Sequence, residues 1–359
     1  MNSRIMKVIE NMKKNDLSSL IISSPDAIFY LTGETIHPGE RLMTLVVTIS
    51  KKITLVLPTM FEVSQTPFEV KYFSDDEKPL EWVAELIDTS GSVGIDKDWP
   101  ARFLLGLMEL CPDVSFVNGS AAVDKARLNK DSEEVVLMKE ASLLNDRAME
   151  KVRTLLESGN LTEVELKRRI PEIFSSVGAG GNSFEPIVCF GKGAAEPHHH
   201  SDETELQQGS IIIDMGCVYK GYCSDMTRSF YYGEVSDKYA KAYEAVLAGN
   251  EAALSLVKPG VRLSAIDHAA RSVIEKAGFG EYFVHRTGHG IGIEVHEFPD
   301  VSASSDAVCE PGMIFSVEPG VYIKNEFGIR IEDLVLVTED GHEVLNRYPK
   351  DLSIIHPKG

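Results

Sequence analysis

Near the start of the chain, Ile5, Met6, Val8, Ile9 and Met12 recur at helical spacing. They predict an amphipathic first helix and lack the unbroken apolar run of a signal peptide. The period then shortens. Leu17-Ser-Ser-Leu-Ile-Ile-Ser predicts a buried strand ending before Pro25. Leu45-Val-Val-Thr-Ile and Ile53-Thr-Leu-Val-Leu-Pro predict two more strands, joined as a hairpin through Ser50-Lys51-Lys52. Helices are expected near 80–89 and 101–111, with a short strand at Val93-Gly-Ile-Asp between them. Strands alternating with helices over about 120 residues predict a small α/β domain at 1–122.

A boundary is expected near 122–130. Asp131 or Ser132 then caps a long helix whose first turn carries Glu133 and Glu134. A second helix is expected over 162–176. From there the pattern turns to hairpins, with strands at Ile211-Ile-Ile-Asp and Thr227-Arg-Ser-Phe-Tyr-Tyr. Helices return at about 237–257 and 263–277, and strands close the chain at Met313-Ile-Phe-Ser-Val and from Ile329 to Val337. Residues 128–359 therefore read as an α+β domain with a strongly curved antiparallel sheet. No internal repeat or low-complexity stretch interrupts the pattern.

Composition narrows the function. The chain has 359 residues, 43% of them hydrophobic and 25% charged, enough to bury a sizeable core. A net charge of −19 opposes binding to a phosphate backbone, so nucleic acid is not an expected partner. No apolar run is long enough to span a bilayer. Five scattered cysteines with no Cys-x-x-Cys motif read as reduced thiols in a cytosol.

Four segments carry candidate chemistry. In the first, Asp214 and Asp225 flank a glycine-containing hairpin, so adjacent strands can present both carboxylates on one face. Asp214 directly follows a buried-type run and needs a partner there. The second is His285-Arg-Thr-Gly-His289-Gly-Ile-Gly, where Gly288, Gly290 and Gly292 let the backbone bend around an imidazole. Three glycines argue against a zinc-binding helix, and no Walker lysine follows. Third, Glu318 ends an apolar strand before Pro319-Gly320. Fourth, alternation from Ile329 places Arg330 and Glu332 on one strand face. Four carboxylates and one imidazole are too much negative charge to gather without cations. Two divalent metals between them would reconcile the set and supply an activated water for hydrolysis.

In this order and spacing, Asp214, Asp225, His289, Glu318 and Glu332 resemble the metal ligands of the pita-bread metallopeptidases. That family includes methionine aminopeptidase, aminopeptidase P and prolidase. The resemblance extends over nearly the whole chain: 128–359 resembles the pita-bread catalytic domain, and 1–122 the N-terminal domain of the proline-specific branch. Methionine aminopeptidases usually lack such a domain. Phe190-Gly-Lys-Gly-Ala-Ala-Glu-Pro-His198 resembles the family's glycine-rich approach to a substrate-side histidine. His199 and His200 read as exposed loop histidines. By the same resemblance His285 and His296 are active-site histidines, and Arg330 is an arginine beside the second glutamate ligand.

The resemblance implies two metals bridged by carboxylates and by water. Glu318 would shuttle the proton of that water, His296 would support the tetrahedral intermediate, and His198 and His285 would contact substrate. An oxygen-rich donor set favours Mn²⁺, with Co²⁺, Fe²⁺ or Zn²⁺ as substitutes. The implied activity is a Xaa-Pro dipeptidase acting on proline-containing peptides, as a homodimer. The alternative is a Xaa-Pro aminopeptidase acting on longer peptides. Arg41 is a candidate for reading the substrate carboxylate across a dimer interface, or else a surface arginine. Asp300 stands where some prolidases carry an arginine. A non-catalytic peptide-binding module and a metal-independent hydrolase of the creatinase type fit poorly with a full set of five ligands.

Overall fold

Leu17–Ile22 is buried at every position and takes an inner place in a six-stranded sheet. The computed structural model of the chain describes residues 3–63 and 66–356. Its contacts separate into two units, Met1–Arg127 and Leu128–Gly359.

In the first unit, helix Ser3–Lys14 buries Ile5, Val8, Ile9 and Met12 on one face, following the period of its sequence. Strands Thr44–Thr48 and Ile53–Pro58 form the expected hairpin, with Lys51 in its turn at φ 69°. The sheet runs in the order Glu69–Phe73, Ile53–Pro58, Thr44–Thr48, Leu17–Ile22, Ser92–Ile95, Phe116–Asn118 and mixes parallel with antiparallel pairs. Arg41 pairs with Asp75 at 2.8 Å and with Glu40 at 3.0 Å. Helix Ala121–Leu128 covers most of the boundary expected near 122–130.

The second unit opens with helix Ser132–Leu156. The Asp131 carboxylate accepts from the backbone N–H groups of Glu133 and Glu134, and Glu134 accepts in return from the Asp131 N–H. The second oxygen of Glu134 accepts from the Tyr222 hydroxyl at 2.9 Å, which ties this helix to the hairpin between Asp214 and Asp225. That hairpin turns at Lys220-Gly221 with φ 48° and 85°, the positive pair that a type I′ turn requires.

The strands of this unit fall into separate sheets. Ser353–Ile355, Met226–Tyr232, Gly209–Met215 and Ile187–Phe190 make one sheet of four strands. Glu297–Val301, Gly288–Gly290, Ile314–Val317, Asp333–Val337 and His342–Val344 make an antiparallel sheet of five. Gly320–Ile323 and Phe327–Arg330 form a two-stranded ribbon. The long strand expected from Ile329 to Val337 is therefore two strands in two sheets, broken at Ile331 and Glu332. The break has a cause. The Glu332 N–H leaves any ladder to donate to Thr227 O at 3.1 Å, and the Ile331 N–H donates to Pro319 O at 3.3 Å. Among the described residues no helix is long and apolar enough to cross a membrane, and all five cysteines are free thiols.

Candidate metal centre

Pairing between Gly209–Met215 and Met226–Tyr232 sets Thr227 opposite Asp214 and Met226 opposite Met215. Asp225, one residue before that strand, thus comes alongside Asp214. His289 sits in strand Gly288–Gly290, and Glu318 follows strand Ile314–Val317, which pairs with it. Glu332 occupies the break between strands Phe327–Arg330 and Asp333–Val337. All five line one cavity of about 370 Å³, together with His198, His285, His296, Arg286 and Arg330.

The glycines around His289 serve closeness of approach, not bending, and none has a positive φ. A Cβ at Gly288 would collide with the carbonyl oxygen of Ser316, and one at Gly290 would lie 2.6 Å from that of Phe298. Glycine lets the His289 strand lie against its neighbours at this spacing.

Asp225, His289 and Glu332 are buried, and their donor atoms all lie within 4.8 Å of one another. His289 Nδ1 faces the Gly290 carbonyl at 3.1 Å and so carries the hydrogen. Its Nε2 then presents a lone pair toward Glu318 Oε1 at 3.4 Å and Asp225 Oδ2 at 3.8 Å. Burial, with His296 adding to it, lowers the His289 pKa to about 3, which keeps the ring neutral. A lone pair aimed at carboxylate oxygens is repulsive unless a cation lies between them. Asp214 Oδ1, Asp225 Oδ1 and Glu332 Oε1 are likewise buried with no hydrogen-bond partner among the described residues. Burial first, and then the neighbouring carboxylates, push Asp225 and Glu332 well above the usual carboxylate range. This donor set fits divalent cations, with one neutral nitrogen among oxygens.

A second layer fixes these oxygens. Arg330 donates from one nitrogen to Asp214 Oδ2 at 2.6 Å, from another to the Tyr322 hydroxyl at 2.7 Å, and from Nε to Thr227 Oγ1 at 3.1 Å. Thr227 in turn donates to Glu332 Oε2 at 2.7 Å. Ser316 Oγ accepts from the His289 N–H at 3.1 Å and donates to Glu318 Oε1 at 3.3 Å.

His285 is committed on both ring nitrogens. Nδ1 donates to the Arg286 carbonyl at 2.7 Å, so Nε2 accepts from the Tyr322 hydroxyl at 3.0 Å. Burial depresses its pKa to about 4, in keeping with a neutral ring. The sequence reading has His285 contact substrate; here its two ring nitrogens are engaged by the Arg286 carbonyl and the Tyr322 hydroxyl. His198 and His296 are exposed at the cavity, and the His296 ring stands edge-on to His289 at 4.3 Å between centroids. His199 differs from its expectation as an exposed loop residue: its side chain is 11% exposed and bonds Glu163 at 2.7 Å.

Sequence reading misses Tyr322, Thr227 and Ser316. A signal exists for Tyr322, because a phenol in the buried-type run Gly320-Val-Tyr-Ile needs a hydrogen-bond partner. For Thr227 and Ser316 there is none, because a hydroxyl in a strand is ordinary until its cross-strand neighbour is known.

An α/β unit followed in sequence by a pita-bread unit, whose strands converge on a carboxylate-rich cavity, is the layout of a metallopeptidase. Residues 136–339 match the model of metallopeptidase family M24, and residues 4–129 match that of the Creatinase/Prolidase N-terminal domain. The chain belongs to metallopeptidase family M24. It is 36% identical over 364 residues to the putative dipeptidase YkvY of Bacillus subtilis (strain 168), covering 98% of this chain and 100% of that protein. The solved dipeptidase of Pyrococcus horikoshii OT3 is similar at 35% identity and a TM-score of 0.92, over 98% of this chain and 99% of that one. A recombinant prolidase from Thermococcus sibiricus is similar at 32% identity and a TM-score of 0.93, over 99% of each chain.

Proposed function

We propose that this peptidase is a Xaa-Pro dipeptidase working with two divalent cations, Mn²⁺ by preference. Asp214, Asp225, His289, Glu318 and Glu332 would hold them. The observation that carries the reading is the neutral His289 Nε2 aimed at carboxylate oxygens, beside buried acid oxygens that lack any partner. When bound, the cations supply Lewis acidity toward the scissile carbonyl and a water of lowered pKa.

The chain's own groups do the rest. Glu318 takes the proton from the attacking water and returns it to the leaving proline nitrogen. Its side chain is 17% exposed, more than the 12% of Asp214 and the 6% of Asp225 among the ligand acids. His296, at the cavity beside His289, donates to the developing oxyanion. His198 holds the substrate from the opposite loop. Arg330 is a positioning residue, since its donors are spent on Asp214, Tyr322 and Thr227.

A dipeptidase also needs a cation for the substrate's terminal carboxylate. Arg286 lines the cavity with a side chain 37% exposed, and it pairs with Asp300. Asp300 thereby supports the arginine that reads the carboxylate, and does not itself contact that group.

The test is direct. Mn²⁺-loaded protein is incubated with a Xaa-Pro dipeptide and with a tripeptide that extends it. The dipeptide should be cleaved and the tripeptide spared. A comparable tripeptide rate would favour the aminopeptidase, and no turnover of either would overturn the hydrolase reading.

A further inference from the structure

Helix Glu163–Val177 begins with a glutamate that is completely buried. Its carboxylate is turned toward the segment that carries His198. One oxygen accepts from the Phe190 N–H at 2.6 Å. The other accepts from the Asp202 N–H at 2.9 Å and bonds His199 Nε2 at 2.7 Å. The backbone of the same helix start is stitched to the same segment, with Glu163 N donating to Thr204 O and Val164 N to Asp202 O, both at 3.1 Å. A Cβ at Gly193 would come within 3.0 Å of the His199 ring, so the glycine leaves the imidazole its place against the segment.

The residue on the other side of His198 is also held. Arg330 reaches the Pro197 carbonyl at 3.5 Å, the same guanidinium that fixes Asp214. His198 itself is exposed at the cavity. A side chain on an exposed loop gains a defined position only if its flanking residues are fixed.

We infer that the Glu163–His199 pair is a positioning device for the substrate-side His198. The inference rests on the proposed role of His198 and adds two residues outside the cavity to the substrate-binding apparatus. His199 donates its Nε2 hydrogen to a carboxylate that is already fixed by two backbone N–H groups. The imidazole is thereby held from a rigid helix start, and the chain on either side of His198 is anchored. Glu163, His199 and Asp202 also lie close enough to suggest a cation site. The hydrogen bonds argue otherwise. Both Glu163 oxygens accept from N–H donors, and the Asp202 carboxylate accepts from the Thr204 N–H at 2.7 Å.

The experiment is a double-mutant cycle on kcat/KM for a Xaa-Pro dipeptide, with bound Mn²⁺ and melting temperature recorded for every variant. His199→Leu removes the donor, and His199→Gln keeps an N–H at nearly the same reach. His199→Leu should lower kcat/KM by on the order of tenfold in the wild-type background and have no further effect beside His198→Ala. His199→Gln should recover most of the loss, and metal content should not change. Glu163→Gln, which puts a donor against backbone N–H groups, should match His199→Leu if it folds. An equal loss from His199→Leu in both backgrounds would make the pair merely structural and overturn the inference. Full activity of His199→Leu would overturn it too. If His198→Ala is itself harmless, the reading of His198 has failed and the positioning role falls with it. The His199 variants would still show whether the clasp holds the loop, through their melting temperatures.

Discussion

Stripping the cations should leave a protein whose stability falls as pH rises through the acidic range. Glu318 supplies a calculable part of that fall. Burial drives its pKa from 4.5 to about 7; Arg330 opposes the rise and Asp214 adds to it. At about 1.4 kcal/mol for each tenfold change in proton affinity, this gap amounts to about 3 kcal/mol. Below about pH 4.5 the carboxyl is protonated in both folded and unfolded chains, and the full stability is present. Between 4.5 and about 7 the unfolded chain has released its proton while the folded one still holds it, so stability drains away. Above about 7 both forms are ionised and the loss is complete. For a unit the length of Leu128–Gly359, about 3 kcal/mol is a fall of roughly 6–12 °C in melting temperature. The assay is thermal melting in chelator from about pH 4 to about pH 8, comparing the wild type with Glu318→Gln. The variant should lose that part of the pH dependence. What survives should still slope downward, because Asp225 and Glu332 are pushed in the same direction. Adding Mn²⁺ at neutral pH should raise the wild-type transition. Identical pH profiles for the wild type and Glu318→Gln would refute the reasoning.

Tyr322→Phe deprives Arg330 and His285 of their shared hydroxyl. It should cut kcat/KM for a Xaa-Pro dipeptide by about tenfold to a hundredfold with bound metal unchanged, and wild-type rates would contradict the positioning role of the network. Asp333→Ala takes the carboxylate from Arg228, whose side chain is 2% exposed and otherwise meets only backbone carbonyls among the described residues, and removes one of the two partners of Lys350. It should cost about 3–5 kcal/mol in urea unfolding of the second unit, and a loss below about 1 kcal/mol would show the pair to be dispensable. Arg286→Gln should raise KM about tenfold for a Xaa-Pro free acid and leave the corresponding amide little changed; equal effects on both would remove Arg286 as the carboxylate reader.

Elements whose signals are local can be read directly from the amino acids. Asp131 and Glu134 announce the helix Ser132–Leu156 because a capping box lies within four residues of chain. The hairpin at Lys51 and the strand Leu17–Ile22 are readable for the same reason. The five acid and imidazole positions stand out because each is an ionisable group set in apolar or glycine-rich chain, a combination that demands a partner. What stays hidden depends on register between distant segments. Nothing near Thr227 says that Arg330 and Glu332 will meet its hydroxyl, and nothing near His199 points to Glu163. The alternation from Ile329 to Val337 is real, but the pull of Thr227 O on the Glu332 N–H breaks the strand at the ligand itself. The glycines flanking His289 suggest bending when read alone, since the close approach of Ser316 and Phe298 is invisible in one segment.

Whether the buried acids and His289 form a metal centre is decided most directly by counting cations. Metal-free protein is dialysed against Mn²⁺ and its metal content is measured at equilibrium, for the wild type and for Asp225→Asn and Glu332→Gln. The account predicts two Mn²⁺ per wild-type chain, and at least one fewer in each variant with most Xaa-Pro hydrolysis lost. A wild-type chain that binds none, or variants that keep the full complement and full activity, would contradict it.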